Sequence, residues 1–262
     1  MKLSIVIPAY NEEKRIGKTL KRYSQVFENL RKKKIMDYEI LVVINNTTDN
    51  TEKIVKVCRK KNKRIRYLNL KRGGKGYAIL EGFKDALKRN NNLIGFVDAD
   101  MSTSAEEYSR LVRLVGKNDG VIASRYLKGA IVKPKPPISR IIASRVFNFM
   151  NRVLFQFPYR DTQCGAKTFR REALLPIIDK IGATEWAFDI DLLYQLNKKG
   201  FKILETPTVW KEMKGSKLRL GKVSLQMFLA IIRLRLINSP FVKFERIGKP
   251  FVGFLWRWVK NS

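Results

Sequence analysis

Four short apolar runs, each followed by a stretch of helical periodicity, constrain this chain more than any other feature. Residues 4–8, 38–44, 65–70 and 93–97 are apolar, too short to be helices, and bounded by polar loops, so they read as buried strands. Between them, residues 12–30 place Ile16, Leu20, Tyr23, Phe27 and Leu30 at helical spacing, and residues 51–61 and 77–89 continue the alternation. Strand and helix in alternation predict an α/β chain with a doubly wound parallel sheet, whose ligands lie at the carboxyl ends of the strands. Pro8, Asn45, Gly73 and Asp98 fall at those ends. A further short strand is expected at residues 121–124.

With 262 residues and 45% hydrophobic content, one large core with a small appendage is within reach. Fifty-four Lys and Arg against twenty-three Asp and Glu give a formal charge of +31, which favours partners carrying phosphate. There is no histidine, so histidine acid–base chemistry, Ser-His-Asp triads and histidine zinc sites are excluded, and carboxylates must do that work. Cys58 and Cys164 lack CxxC spacing. They read as small buried residues of a reducing compartment, not as a disulfide or zinc framework.

The first eight residues are apolar only as far as a strand needs, so neither a signal peptide nor a membrane span is expected there. The longest apolar run, residues 227–232, is closed by Arg233 and Arg235, well short of the roughly 20 residues of a spanning helix. After the stiff connector Lys133-Pro134-Lys135-Pro136-Pro137, residues 138–157 predict a long helix. Its Ile, Phe, Met, Val and Leu residues are interleaved with Arg140, Arg145 and Arg152. Such a helix either lies in a membrane interface or packs on the sheet with one polar edge. From residue 221 onward Phe228, Phe241, Phe251, Trp256 and Trp258 again mix with Lys and Arg, and two such regions favour interfacial docking. The chain therefore divides into a catalytic domain, residues 1–220, and a basic amphipathic membrane-associating segment, residues 221–262.

Two motifs carry chemistry. Asp98-Ala99-Asp100 directly follows the strand at 93–97, placing two carboxylates at its carboxyl end. Mg2+ or Mn2+ needs only one or two protein carboxylates when a diphosphate supplies other oxygens. Arg72-Gly73-Gly74-Lys75-Gly76 supplies backbone N–H groups and cations beside a helix N-terminus, an anion cradle without the spacing of a P-loop.

These pieces stand in order with others: Ile7-Pro8-Ala9-Tyr10-Asn11-Glu12-Glu13, Gly74-Lys75-Gly76, Asp98-Ala99-Asp100, Ser124-Arg125, Asp161-Thr162-Gln163-Cys164-Gly165-Ala166-Lys167, Phe188-Asp189-Ile190-Asp191-Leu192, and Val209-Trp210 with Gly215-Ser216-Lys217. The set resembles family 2 glycosyltransferases acting on polyprenyl phosphates, the dolichyl-phosphate glucosyl- and mannosyltransferases above all. The resemblance runs from about residue 3 to residue 217. It implies a GT-A fold, that is, a Rossmann-like doubly wound mixed sheet flanked by helices. It also implies Mg2+ or Mn2+, inversion at the anomeric carbon, and hexose transfer from UDP-glucose, or alternatively GDP-mannose, to dolichyl or another polyprenyl phosphate.

Carried over residue by residue, Pro8, Tyr10 and Glu12 line the nucleotide and Lys75 approaches its phosphates. Asp98 faces the ribose or sugar, Asp100 holds the metal, and Arg125, Arg140, Ser144, Ser216 and Lys217 hold the lipid phosphate, for which arginine's fork is suited. Asp189 and Asp191 take the place of the family's acidic pair near the acceptor. Asp191 is the general base if the acceptor is a saccharide hydroxyl, and its bland reading is a helix N-terminal charge. Where the family carries an Asp-Asp-Gly-Ser type loop, this chain has Ile44-Asn45-Asn46-Thr47, so base reading falls to the amide of Asn45. No membrane span is expected after Lys217, so attachment is peripheral, at the cytoplasmic face, with +31 holding the site against anionic lipid. The competing reading of that charge, a nucleic-acid-binding protein, has no recognisable motif and leaves the acidic sites unexplained.

Overall fold

The computed structural model describes residues 1–182, 187–213 and 220–238. The elements run β1 (Lys2–Ala9), α1 (Ile16–Lys32), β2 (Asp37–Asn45), α2 (Thr51–Lys61), β3 (Ile65–Leu70), α3 (Lys75–Leu87), β4 (Leu93–Val97), α4 (Ala105–Arg113) and β5 (Gly120–Ser124). They continue through β6 (Ile131–Lys133), α5 (Ile138–Phe155), β7 (Ala166–Arg170), the single turn α6 (Arg171–Leu174), α7 (Phe188–Lys198), β8 (Ile203–Pro207), β9 (Val209–Lys211) and α8 (Leu220–Ile237).

Seven strands form one sheet in the order β3-β2-β1-β4-β7-β5-β8, while β6 and β9 pair separately. β3, β2, β1 and β4 are parallel, as the near-continuous apolar sequences of β1, β2 and β4 predict for strands covered on both faces, while β3 forms the half-exposed edge. Their side chains alternate between two cores. Val6, Leu41, Val43, Ile94 and Phe96 pack with α3 and α7, whereas Ile5, Ile7, Ile40, Val42 and Val97 pack with α1, α2 and α4. β7 is antiparallel to both β4 and β5, which makes the sheet mixed. From β1 the chain winds first to β2 and β3, then returns to β4 on the other side, so the switch point lies between Ala9 and Val97.

Three boundaries move relative to expectation, each for a local reason. α1 opens at Ile16, not residue 12, because residues 11–13 are tied sideways to the loop after β2: Asn11 N donates to Thr47 Oγ1 (3.0 Å) and Glu12 N to Thr51 Oγ1 (2.7 Å). α3 begins at Lys75, two residues early, because Gly74 at φ 120° turns the chain directly into the helix. α5 stops at Phe155, where Gln156 adopts a left-handed conformation, so Phe157 lies beyond it and is buried.

α5 buries Phe147, Asn148, Asn151 and Phe155 and leaves its other apolar face uncovered. Ile138 (76%), Ile142, Val146, Phe149 (63%) and Val153 (62%) form an exposed stripe at helical spacing, with Arg145 and Arg152 also exposed. α8 packs on α5 and sends Ile231 and Leu234 into the core with α3 and α7. The opening of the 221–262 segment is thus built into the catalytic body, not appended to it; Phe241, Phe251, Trp256 and Trp258 lie outside the described residues. Among the described residues no helix is long and apolar enough to cross a membrane. Cys164 is buried, but Cys58 is half-exposed, contrary to expectation.

Candidate active site

The carboxyl ends of β1, β2 and β4 turn sharply. Asn11, Asn46 and Met101 all take positive φ (51°, 51° and 65°), a conformation that asparagine tolerates and methionine rarely adopts. The turn after β4 is held from below by α1: Thr19 Oγ1 donates to Ala99 O (2.6 Å) and Tyr23 OH to Thr103 O (2.8 Å). Asp100 Oδ1 accepts from Ser102 N (2.9 Å), a local turn that fixes the carboxylate and leaves Oδ2 outside this bond. Asp98 N donates to Gly165 O (3.2 Å), so the strand insertion of β7 closes against the acidic pair.

An open cleft of roughly 1260 Å³ lies over these ends. Typical single-ligand pockets span about 300–1,000 Å³, so this one has room for two substrates. At one end are Pro8, Tyr10, Asn45, Asn46 and the 72–75 turn, in the middle Asp98, Asp100, Glu12 and Asp189, and beyond them Arg125, Arg140 and Ser144. The far end is apolar, formed by Ala143, Val146, Phe147 and Met150 of α5 with Met227 and Phe228 of α8. Val146 and Phe228 are also solvent-exposed, so this end of the cleft opens beside the uncovered face of α5.

Lys75, the first residue of α3, forms an ion pair with Asp98 Oδ1. Burial would lower its pKa, but the carboxylates of Asp98, Asp189 and Asp100 outweigh that and hold the ammonium above its ordinary value. No acidic residue stands in the first turn of α3, so its N–H groups face the cleft without a competing protein anion in that turn. Glu12, gripped by Arg15 at 2.6 and 2.7 Å, has its pKa raised, first by burial and further by the charges of Asp100 and Asp98.

That accumulation of negative charge is what a hard cation relieves. Among the described residues no cluster of three or more acidic, Cys or His groups encloses a metal. Two carboxylates, with the remaining ligands from a diphosphate, is the donor set that Mg2+ or Mn2+ accepts, and Asp98 and Asp100 fit it.

Other predicted residues are placed differently from expectation. Asn45 is buried, and in the amide orientation that satisfies its neighbours Nδ2 donates to Ala9 O (2.8 Å) while Oδ1 accepts from Gly74 N (3.2 Å). It clamps β1 to the glycine turn while still lining the cleft, and the neighbouring Asn46 and Arg72 add polar groups at that end. Arg125 grips the fully buried Asp161 through Nε (2.7 Å) and Nη2 (2.9 Å). Burial would raise the Asp161 pKa, but the Arg125 guanidinium outweighs it and keeps the carboxyl below its usual range. Arg125 also lies over the ring of Trp210 (5.3 Å), and Tyr126 OH donates to Ser144 Oγ (2.6 Å), so one cluster joins β5 to α5. Arg140 is ion-paired with Glu212.

Asp191 is the clearest correction. It is buried, accepting from Gly182 N (2.7 Å) and Gln195 Nε2 (3.1 Å), and burial raises its pKa. It does not line the cleft, so the base expected of it has no access to a substrate there. The acidic residue of that pair which reaches the cleft is Asp189, two residues earlier on α7. Ser216 and Lys217 lie outside the described residues. Sequence reasoning quoted Asp161, Gln163 and Trp210 among the motifs without giving them a role and did not single out Glu212; Gln163, Trp210 and Glu212 line the cleft while Asp161 anchors Arg125. Cys164 is no nucleophile, since burial pushes its thiol up to about 12.

A Rossmann-like mixed sheet with an acidic pair and an anion cradle at its switch point defines a GT-A glycosyltransferase. The model of glycosyl transferase family 2 matches residues 4–177, and the chain belongs to that family. It is 31% identical over 243 residues to a dolichyl-phosphate beta-glucosyltransferase of Dictyostelium discoideum, covering 89% of this chain and 73% of that one. With the Homo sapiens enzyme of the same name it shares 32% over 255 residues, covering 91% and 77%. Among solved structures, glucosyl-3-phosphoglycerate synthase from Mycobacterium tuberculosis, in complex with Mn2+, UDP and glucosyl-3-phosphoglycerate, superposes with a TM-score of 0.65 at 18% identity, covering 91% of this chain and 81% of that one. A mannosyltransferase from Pyrobaculum calidifontis with GDP-Man and Mn2+ gives 0.60 at 16% identity, covering 88% and 64%. At those identities the two structures establish the fold.

One substitution tests the seating of the acidic pair. A Cβ built on Gly165 collides with the Asp98 carboxylate. Gly165→Ala is therefore expected to displace Asp98 and cut turnover by about 10²-fold or more, the loss typical of removing one group that stabilises transition-state charge. The circular dichroism spectrum should stay that of wild type; wild-type turnover would show that Asp98 is not held where the site needs it.

Proposed function

We propose that this glycosyltransferase moves glucose from UDP-glucose to dolichyl or another polyprenyl phosphate, with inversion, at the cytoplasmic surface of a membrane. The observation that carries the reading is the layout of one cleft: an anion cradle at one end, carboxylates in the middle, arginines beyond them, and an apolar end opening beside an uncovered apolar helix face. The names of the relatives favour glucose and dolichyl phosphate. A GDP-mannose donor is the alternative. The described cleft supports no hydroxyl acceptor through Asp191, because that residue is not in it.

In this account Pro8 and Tyr10 line the nucleotide, Asn45 keeps the glycine turn in place, and Lys75 with the α3 N-terminus receives the diphosphate. Asp98 and Asp100 would hold Mg2+ or Mn2+, which when bound neutralises charge on the leaving nucleoside diphosphate. An acceptor phosphate oxygen attacks the anomeric carbon from the opposite face. The new C1–O–P bond forms as the C1–O bond to the diphosphate breaks, and the bonding pair leaves with UDP. The second pKa of such a phosphate is about 6, so it is largely ionised near neutral pH and no general base is needed. Catalysis is then mostly orientation and fixed charge.

Arg125, Arg140 and Ser144 are proposed to receive the acceptor phosphate. Arg140 is ion-paired with Glu212, so that phosphate must take the carboxylate's place. Glu212→Gln is expected to lower the KM for polyprenyl phosphate several-fold and leave that for the nucleotide sugar unchanged, measured by steady-state kinetics in detergent.

Peripheral attachment rests on the exposed stripe of α5, on its flanking arginines, and on a +31 chain facing the negative cytoplasmic leaflet. The donor is tested by a screen of UDP- and GDP-sugars with polyprenyl phosphate and Mn2+ or Mg2+. Release of UDP from UDP-glucose is expected, and acceptor-dependent release of GDP alone would move the assignment to the mannosyl donor.

A further inference from the structure

Outside the residues used above lies a lysine with no exposed surface. Lys167, on β7, is 0% exposed; its Nζ donates to Asp189 Oδ1 (2.6 Å) and to Cys164 O (2.7 Å) and sits 5.2 Å from the centre of the Phe96 ring. Burying an ammonium is expensive, and a well-packed apolar side chain of similar volume generally serves a core as well or better. Core packing therefore does not account for a lysine here. What the ion pair does have is one end in the cleft: Asp189 lines it, and its charge also acts on Lys75 from across the floor. Among the described residues Oδ1 of Asp189 is taken by Lys167, while Oδ2 accepts no hydrogen bond.

The register of the inserted strand explains how this is built. β7 pairs antiparallel with β4 so that Lys167 stands opposite Phe96 and Ala166 opposite Val97, and Gly165 O then receives Asp98 N. The start of the inserted strand thus seats Asp98 through Gly165, just before β7, and Asp189 through Lys167, and both carboxylates act on Lys75. The three residues Gly165 to Lys167, where β7 starts, contact both carboxylates.

We propose that Lys167 is a positioning residue: from the core it holds the Asp189 carboxylate in one orientation, so that Oδ2 accepts hydroxyl groups of the donor's hexose. This rests on the donor reading above, and the sugar is recognised by its hydroxyls, not by its diphosphate.

The test compares binding of UDP and UDP-glucose, with GDP and GDP-mannose in parallel, to full-length wild type, Lys167→Met, Asp189→Asn and the double variant, by calorimetry with Mn2+. Wild type should bind the nucleotide sugar more tightly than the nucleotide. Each single variant should lose about 10- to 100-fold in affinity for the nucleotide sugar, the worth of a hydrogen bond to a charged group, with affinity for the free nucleotide unchanged. The double variant should lose no more than either single one, and it should melt higher than Asp189→Asn, which leaves a buried ammonium unpaired. Additive losses, or nucleotide and nucleotide-sugar affinities falling together, would make Lys167 merely structural and overturn the proposal. Lys167→Gln, which can still donate to Cys164 O, supplies the same comparison should the methionine variant not fold. Wild type binding none of the four ligands would overturn the donor reading and this inference with it, whereas intact sugar preference in Lys167→Met overturns this inference alone.

Discussion

Asp100→Asn is expected to remove sugar transfer, by about 10²-fold or more, while binding to anionic vesicles stays at the wild-type level. The substitution is isosteric and keeps an amide oxygen that can accept from Ser102 N, so the turn held by Thr19 and Tyr23 has no reason to collapse. What it removes is charge at the point where Asp98, Asp100 and the raised pKa of Glu12 record an accumulation of acceptor oxygens. Vesicle binding is assigned to a different surface, the outer stripe of α5, so the two properties should separate. Turnover by initial rates and co-sedimentation with vesicles check this, and loss of both together would mean that the acidic pair and the membrane face are one structural unit.

The converse separation is expected at α5. Phe149 and Val153 are exposed and lie outside the cleft, so Phe149→Asp with Val153→Asp should leave chemistry intact while removing apolar area from the docking face. Burying one such side chain is worth about 1.5–3 kcal/mol, so the pair contributes roughly 3–6 kcal/mol to partitioning. Vesicle affinity should fall by about 10²-fold or more, each tenfold corresponding to about 1.4 kcal/mol. Turnover with a short, water-soluble prenyl phosphate should be unchanged, and turnover with dolichyl phosphate in vesicles should drop. Wild-type vesicle binding by the double variant would return α5 to an ordinary packed helix.

The parallel half of the sheet was legible in the sequence because β1, β2 and β4 are buried on both faces and read as near-continuous apolar runs, with the edge strand β3 marked by Ile65, Leu68 and Leu70. β7 was not legible as a strand: it carries Lys167 and Thr168 inside, residues whose burial depends on partners 22 and 60 positions away. That same strand makes the sheet mixed, which the family resemblance implied and periodicity did not. At the site, Asp98, Asp100 and Lys75 could be found because a strand end and a glycine turn mark them. Asn45 and Asp191 were assigned to substrate because residue type says nothing of what a side chain already holds. Asn45 is committed to Ala9 and Gly74, and Asp191 to Gly182 and Gln195. Choosing Asp189 over Asp191 needs the orientation of α7, which two acidic residues in one helical turn leave open. The α5 question, interface or packed helix, likewise needed the burial pattern: the helix packs through Phe147 and Phe155 and leaves Phe149 and Val153 exposed on its outer face.

The account's central claim is that one cleft joins a nucleotide-sugar diphosphate to a membrane-borne phosphate. It is tested most directly by incubating the protein with radiolabelled UDP-glucose, Mn2+ and anionic vesicles containing dolichyl phosphate, then partitioning the products between water and organic solvent. The account predicts acceptor-dependent, acid-labile label in the organic phase, released as glucose, with UDP formed in equal amount. Label recovered only in water-soluble saccharide, or the same UDP release whether or not dolichyl phosphate is present, would contradict it.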